Sequence, residues 1–157
     1  VHGAAVGGGL GLALVADFRV TCPEARFSAN FNRLGFHPGF GLSVTLPRLV
    51  GTQKAALLFY TGRRIGGDEA LAMGLADVLV AQDQVRAEAQ KLAREIATSA
   101  PIAVQSTRWS LRQGLVEQIR SAVARESTEQ NAQFKTADFR EGVAAFTVRR
   151  EPRFTGE

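Results

Sequence analysis

The sequence predicts an α/β chain, a layered core followed by a helical region, on three observations. Eight of its sixteen glycines fall within the first 41 residues, among short apolar runs, the pattern of brief strands joined by tight turns. From residue 42 the apolar positions shift to helical spacing. Beyond residue 99 the pattern is helical almost throughout and only thinly apolar. Elements with one apolar face must pack in layers, so the glycine-rich part supplies a core and the last helices an appendage. The expected division is 1–98 for the core and 99–157 for the helical region.

In chain order, Gly7-Gly8-Gly9 is a turn at which the backbone can approach a ligand, since no Cβ obstructs it. Residues 10–16 read as a short buried helix stopped by Asp17. Residues 19–21 and 26–29 read as brief strands about a turn at Pro23. Leu34-Gly35-Phe36-His37-Pro38-Gly39-Phe40-Gly41 holds three glycines and a proline and is a shaped loop. Leu42, Val44, Leu46, Leu49 and Val50 are helically spaced, with Pro47 expected to limit or kink the segment. Gly51 ends it, Thr52 is placed to cap the next helix as far as Tyr60, and Gly62 follows. Residues 68–73 form a helix closed by Gly74, and 76–80 a strand. Four helices are expected over 84–98, 101–112, 115–134 and 139–149, with Pro101 in a first turn and Gly114 as a separator. In the third of these, Leu115, Ile119, Val123 and Glu126 share a face. So few strands leave a small exposed sheet, which a further segment or another chain is expected to cover.

Composition excludes several classes. The chain of 157 residues is 45% hydrophobic, enough for one core and too little for two. A lone Cys22 makes no internal disulfide, and no Cys/His cluster suggests a metal. The longest apolar stretch, 4–16, is interrupted by four glycines and falls short of the ~20 residues of a membrane span. These features set the expected location as cytoplasmic. Net charge is +4, from sixteen arginines and three lysines against 15 acids. The arginines alternate with acids along helices, as solvated ion-paired faces do, and no basic cluster with interleaved aromatics suggests nucleic acid. Arginine also suits bidentate recognition of an anion.

Gly7-Gly8-Gly9 ahead of a helix either packs closely as a tight turn or offers amides to an anion or developing oxyanion. It matches neither the dinucleotide fingerprint nor a phosphate-binding loop. His37, one of two histidines, is either a structural loop residue or a general acid/base. Asp17, which ends the apolar helix just before Arg19 in the chain, suits an ion pair or loop brace better than catalysis, and Cys22 a small structural role. Ser43 is not in a Gly-x-Ser-x-Gly elbow.

The run Val1-His2-Gly3-Ala4-Ala5-Val6-Gly7-Gly8-Gly9-Leu10-Gly11-Leu12-Ala13-Leu14-Val15-Ala16-Asp17-Phe18-Arg19-Val20 resembles the signature of the enoyl-CoA hydratase/isomerase, or crotonase, family. The resemblance continues through Ala25-Arg26-Phe27, Leu34 to Gly39, Leu46-Pro47-Arg48-Leu49-Val50-Gly51, Thr61-Gly62, Glu69-Ala70 and Gly74-Leu75. It ends in Phe139-Arg140-Glu141-Gly142-Val143-Ala144-Ala145-Phe146 and Arg149 to Phe154. It implies a crotonase-like spiral of ββα units with a C-terminal helical region, of which this chain is the C-terminal portion. It also implies homotrimers or dimers of trimers, with contacts in the helices from Pro101 onward. The implied substrate is an acyl-CoA thioester, with coenzyme A arriving as part of the substrate and no tightly bound cofactor. Its oxygen would sit between two backbone amides, one of them Gly8; the other lies before Val1 in the family, on the same polypeptide or a second chain.

Two departures bear on the reaction. The glutamates that handle water and the α-proton in the family's hydratases fall at Gly11 and Phe31, and neither residue can transfer a proton. Paired-glutamate hydration is therefore disfavoured. The expected activity is a lyase or isomerase reaction through a thioester enolate, with His37 as candidate acid/base. The alternative is a non-catalytic CoA-ester-binding or assembly subunit. The resemblance places Gly11, Phe31 and Phe36 in the substrate pocket. Arg149, Arg150 and Arg153 are either an ordinary charged tail or contacts for the CoA phosphates.

Overall fold

A computed structural model describes residues 1–157. The apolar run 4–16 divides in two. Ala4–Val6 forms strand β1, and Gly8–Ala13 forms helix α1, two residues earlier than the apolar pattern alone suggests. Gly7 accounts for the change of direction: its φ of 55° is open to glycine at little cost, and its N–H donates to the Ser28 carbonyl at 2.9 Å. Strand β2 is Val20–Thr21 and β3 is Arg26–Ser28. A 3-10 turn, Asn30–Leu34, leads into the glycine loop, and α2 (Leu42–Val50) and α3 (Thr52–Thr61) follow. Then come β4 (Arg64–Gly66), α4 (Gly67–Met73) and β5 (Val78–Leu79). Four helices finish the chain: α5 (Val85–Ala97), α6 (Pro101–Leu111), α7 (Leu115–Gln133) and α8 (Ala137–Thr147).

Three strands form one sheet in the order β1-β3-β4, parallel then antiparallel, and β2 pairs with β5 in parallel. Register brings Ala5, Phe27 and Ile65 side by side, all buried, so one face of the small sheet is core. The second pair is fastened by buried Arg19. Its backbone N–H donates to Asp77 Oδ2, and its side chain donates to the carbonyls of Leu75 and Ala16. Two expectations change. Helix α2 runs through Pro47, because burial of Leu42, Leu46 and Val50 on one face outweighs the lost hydrogen bond. Thr52 is the first residue of α3 rather than its cap; Gly51 holds the cap position without a side-chain bond. Strand β4 and the 3-10 turn carry too little periodicity to be read from sequence.

The last helices are not uniformly an appendage. Helix α8 crosses the 3-10 turn so closely that a Cβ on Gly142 would meet the Leu34 backbone, and one on Gly35 the Asp138 backbone. Phe36, Phe134 and Phe139 cluster there with ring centroids 4.9–5.7 Å apart. Helix α6, by contrast, buries no residue.

Candidate active site

Helix α1 begins at Gly8, so its amide is among those that have no acceptor within the helix. Both Gly8 and Gly9 are exposed. Above them stands Phe40, whose ring lies 3.9 Å from where a Cβ on Gly8 would be. At Gly11 the approach is closer: a Cβ would stand 2.6 Å from Phe40 Cδ1 and 2.8 Å from Phe40 Cβ. Position 11 is closed to any side chain while Phe40 stays there. Phe31, 8% exposed, comes up from the other side, its ring tip 3.8 Å from where a Cβ on Gly7 would be. It meets Phe36 edge to face at 5.5 Å, which joins it to the aromatic cluster of α7 and α8.

The loop carrying Phe40 is gripped from below by one stripe of α7. Glu126, 2% exposed, accepts hydrogen bonds from Gly41 N–H (2.7 Å), Ser43 N–H (3.0 Å) and Ser43 Oγ (2.6 Å). One turn on, Gln130 Nε2 donates to the His37 carbonyl at 2.9 Å, and Gln133 Oε1 accepts from His37 N–H at 2.6 Å. These bonds hold Phe40 at φ 66°, in the left-handed region that a bulky residue adopts only under constraint. Glu126 also satisfies the Ser43 N–H in the first turn of α2, which has no acceptor within the helix. Sequence reading missed Phe40, Gln130 and Gln133. A signal existed for the stripe: Glu126, Gln130 and Gln133 continue the face of Ile119 and Val123 at helical spacing, with polar residues where apolar ones are expected.

His37 Nδ1 lies 2.7 Å from the Pro38 carbonyl, which can only accept, so this contact places a proton on Nδ1. The imidazole lines a cleft of about 590 Å³ with Phe36, Ser43, Tyr60 and Gln133. That cleft contains none of Gly8, Gly11 or Phe31. Asp17 forms ion pairs with Arg108 (2.8 Å) and Arg112 (2.6 Å), latching the end of the α1 region to α6 and the turn after it. Partial burial works to raise the Asp17 pKa, but the hydrogen bond from Arg108 and the charge of Arg112 outweigh it and hold the carboxyl below its usual range. Cys22 is wholly buried.

The C-terminal arginines differ among themselves. Arg150 grips Glu141 with two nitrogens at 2.5 and 2.7 Å, and Arg153 gives its backbone N–H to the same carboxylate. The Arg150 hydrogen bond is the main cause of a Glu141 pKa lowered to about 2. Arg149, at φ 57°, lines a cleft of about 880 Å³ with Arg33, Arg64 and Arg150. Arg33 is bound to Glu151 and Arg150 to Glu141, whereas Arg64 and Arg149 form no salt bridge. Sequence reading had no means of bringing Arg33 and Arg64 to this cleft, since they come from two distant elements. No group of three or more His, Cys, Asp or Glu side chains could hold a metal ion, and no helix is long and apolar enough to cross a membrane.

Comparison with known proteins gives this geometry a family. Enoyl-CoA hydratase domain-containing protein 2, mitochondrial, of Bos taurus is 40% identical over 161 residues, covering 100% of this chain and 54% of that protein. Crotonyl-CoA hydratase of Syntrophomonas wolfei is 36% identical over 154 residues, covering 98% of this chain and 59% of that protein. The crystal structure of an enoyl-CoA hydratase/isomerase from Pseudoalteromonas atlantica superposes with a TM-score of 0.89 at 34% identity, over 99% of this chain and 62% of the other. The chain thus spans little more than half the length of the curated relatives it matches. The cytoplasmic expectation is corrected: the cattle, human, mouse and Arabidopsis relatives are named as mitochondrial proteins, and composition carries no signal that separates the two locations. The crotonase-like α/β fold with its C-terminal helices is the one observed. With the enoyl-CoA hydratase/isomerase family model matching residues 1–157 from end to end, the chain belongs to that family.

Proposed function

We propose that the intact protein is an acyl-CoA-processing enzyme, a lyase or isomerase working through a thioester enolate, and that this chain contributes the Gly8 amide to its oxyanion site. The family match over residues 1–157 supports the substrate class. The turn at Gly7, which starts α1 at Gly8, supports the placement of the amide. As the α-proton leaves, the thioester oxygen gains negative charge. A fixed amide stabilises that charge more than it stabilises the ground-state carbonyl, which lowers the barrier. Against hydration by paired carboxylates stands one observation above the others: position 11 is glycine, and Phe40 fills the space a side chain would need. With Phe31 at the second position, neither site offers a proton carrier. Isomerisation, decarboxylation or hydrolysis through the enolate remain; His37 is the candidate proton carrier of the loop, and because it lines the neighbouring cleft rather than the one beside Gly8, that role requires the acyl group to reach towards it.

Coenzyme A would enter as part of the substrate. Arg149 and Arg153 are offered to its phosphates, Arg149 together with Arg64 across the cleft, while Arg150 is already neutralised by Glu141. The helical region 99–157 is proposed to carry the trimer contacts, α6 in particular, since Ile102, Trp109 and Leu111 stand exposed along it. The test uses the intact protein with a panel of acyl-CoA thioesters in deuterated water. Exchange at the α-carbon without a hydrated product is expected. Hydration as the main reaction would overturn the exclusion of hydratase chemistry, since addition of water at the β-carbon also forms a thioester enolate. Absence of exchange and of product, with binding retained, would leave a CoA-ester-binding subunit. His37→Ala should slow exchange by about 100-fold or more if the imidazole moves the proton; an unchanged rate removes it from the mechanism.

A further inference from the structure

Phe40 combines two unfavourable features. Its backbone is left-handed, and the residue is 55% exposed although aromatic surface is favourably buried. Neither arises from a loose loop, since Glu126, Gln130 and Gln133 fix both flanks of the residue through five hydrogen bonds. One edge of the ring rests on Gly11 and Gly8. Phe40 and Gly11 also line a cavity of about 380 Å³, with Leu14, Val15, Leu115 and Ile119 among its other walls. A ring held this way presents apolar surface between the Gly8 amide and a cavity whose wall is mostly apolar, with Asp17, Arg48 and Arg112 as its charged members.

We propose that Phe40 is the specificity-determining residue of the site, an aromatic wall that selects thioesters whose acyl group is a flat conjugated or aryl system. This rests on the acyl-thioester reading of the Gly8 amide. An acyl group held by its oxygen at Gly8 passes Phe40 on its way to the cavity. Conjugation keeps such a group planar, and planar π-systems gain from offset or edge contact with a ring beyond the area they bury. A small alkyl group gains little there. Gly11 is part of the same device: the space where its side chain would stand is the space the ring occupies, so an acid at position 11 and this position of the ring exclude one another.

The test measures dissociation constants of trans-cinnamoyl-CoA and crotonyl-CoA, which differ by phenyl against methyl, for the intact protein and its Phe40→Ala and Phe40→Gly variants. The Gly variant keeps the left-handed backbone at low strain. In both variants the preference for cinnamoyl over crotonyl should fall by about 3- to 10-fold, the range of one aromatic contact. An unchanged ratio with both ligands still bound removes Phe40 and leaves the acyl-thioester reading standing. A shift towards cinnamoyl overturns the proposal by making the ring an obstruction. A parent protein that binds neither ligand overturns that reading and this inference together. A ligand-free arm tests the interlock. Gly11→Ala should lower the unfolding midpoint, where helix propensity alone would raise it, and Phe40→Gly should restore it. Failure of that rescue places the ring away from Gly11 and overturns the proposal.

Discussion

All nineteen residues of the apolar core lie between Ala5 and Val85, whereas residues 99–157 fully bury only Glu126, Gly142 and Ala145. The first region is held by apolar area: Phe27, Leu42, Leu46 and Leu58 are out of solvent, and the strands are aligned by what they bury. The second is held to the first by directed contacts. These are the α7 stripe under the glycine loop, the aromatic cluster at α8, and the Asp17 latch on Arg108 and Arg112. Apolar burial is additive and forgiving of small displacements, while a hydrogen bond fails within a fraction of an ångström. The region that shapes the glycine loop is therefore attached through a few polar atoms and one aromatic cluster rather than through a broad apolar core.

Substitutions separate the two kinds of attachment. Phe27→Ala should cost about 3–5 kcal/mol in denaturant unfolding, because it removes a buried ring and leaves a cavity in the sheet face. A cost under about 1 kcal/mol would mean that the core does not carry the first region's stability. Glu126→Ala should cost about 2–3 kcal/mol and, unlike Phe27→Ala, release the Gly41 and Ser43 amides to hydrogen exchange ahead of global unfolding. If both substitutions expose the same amides together, the distinction between the regions disappears.

Smaller effects belong to the exposed pairs. Asp17→Asn should cost less than about 1 kcal/mol by thermal denaturation, and the difference should vanish in concentrated salt. A loss that persists in salt would make the latch a packing contact. Glu141 is a half-buried surface carboxylate paired with a solvent-facing arginine, so its pairing is read by titration rather than by stability. Its folded pKa is depressed from 4.5 to about 2, so the pairing is fully present above the ordinary value and is lost as pH falls through about 2. Carbon-detected titration should find Glu141 near 2 in the parent and closer to 4.5 in Arg150→Met. An unshifted value in the variant would leave the Arg153 amide as the stronger partner.

The elements of both regions were largely legible in the sequence, because capping glycines and helical spacing act within four or five residues. Gly51, Gly62 and Gly74 each take positive φ and end helices α2, α3 and α4 where the pattern places them. Legibility failed where elements were short or breakers were outvoted. Strand β4 is three residues long, and Pro47 is carried inside α2 by the burial around it. The expected appendage also proved too simple, since α7 and α8 touch the core backbone while α6 lies largely free.

For the site, the sequence by itself determined which side chains are missing: no acid stands at position 11 or 31, and a glycine turn precedes α1. Those are facts of identity and local order. Only the tertiary structure decided what occupies the space. Phe40 lies against Gly11, Glu126 reaches Gly41 from 85 residues away, and Arg33 meets Arg149 across a cleft. Local pattern records which face of an element is apolar, but it holds no record of which residues two faces will bring within a few ångströms. That is settled by how the elements pack.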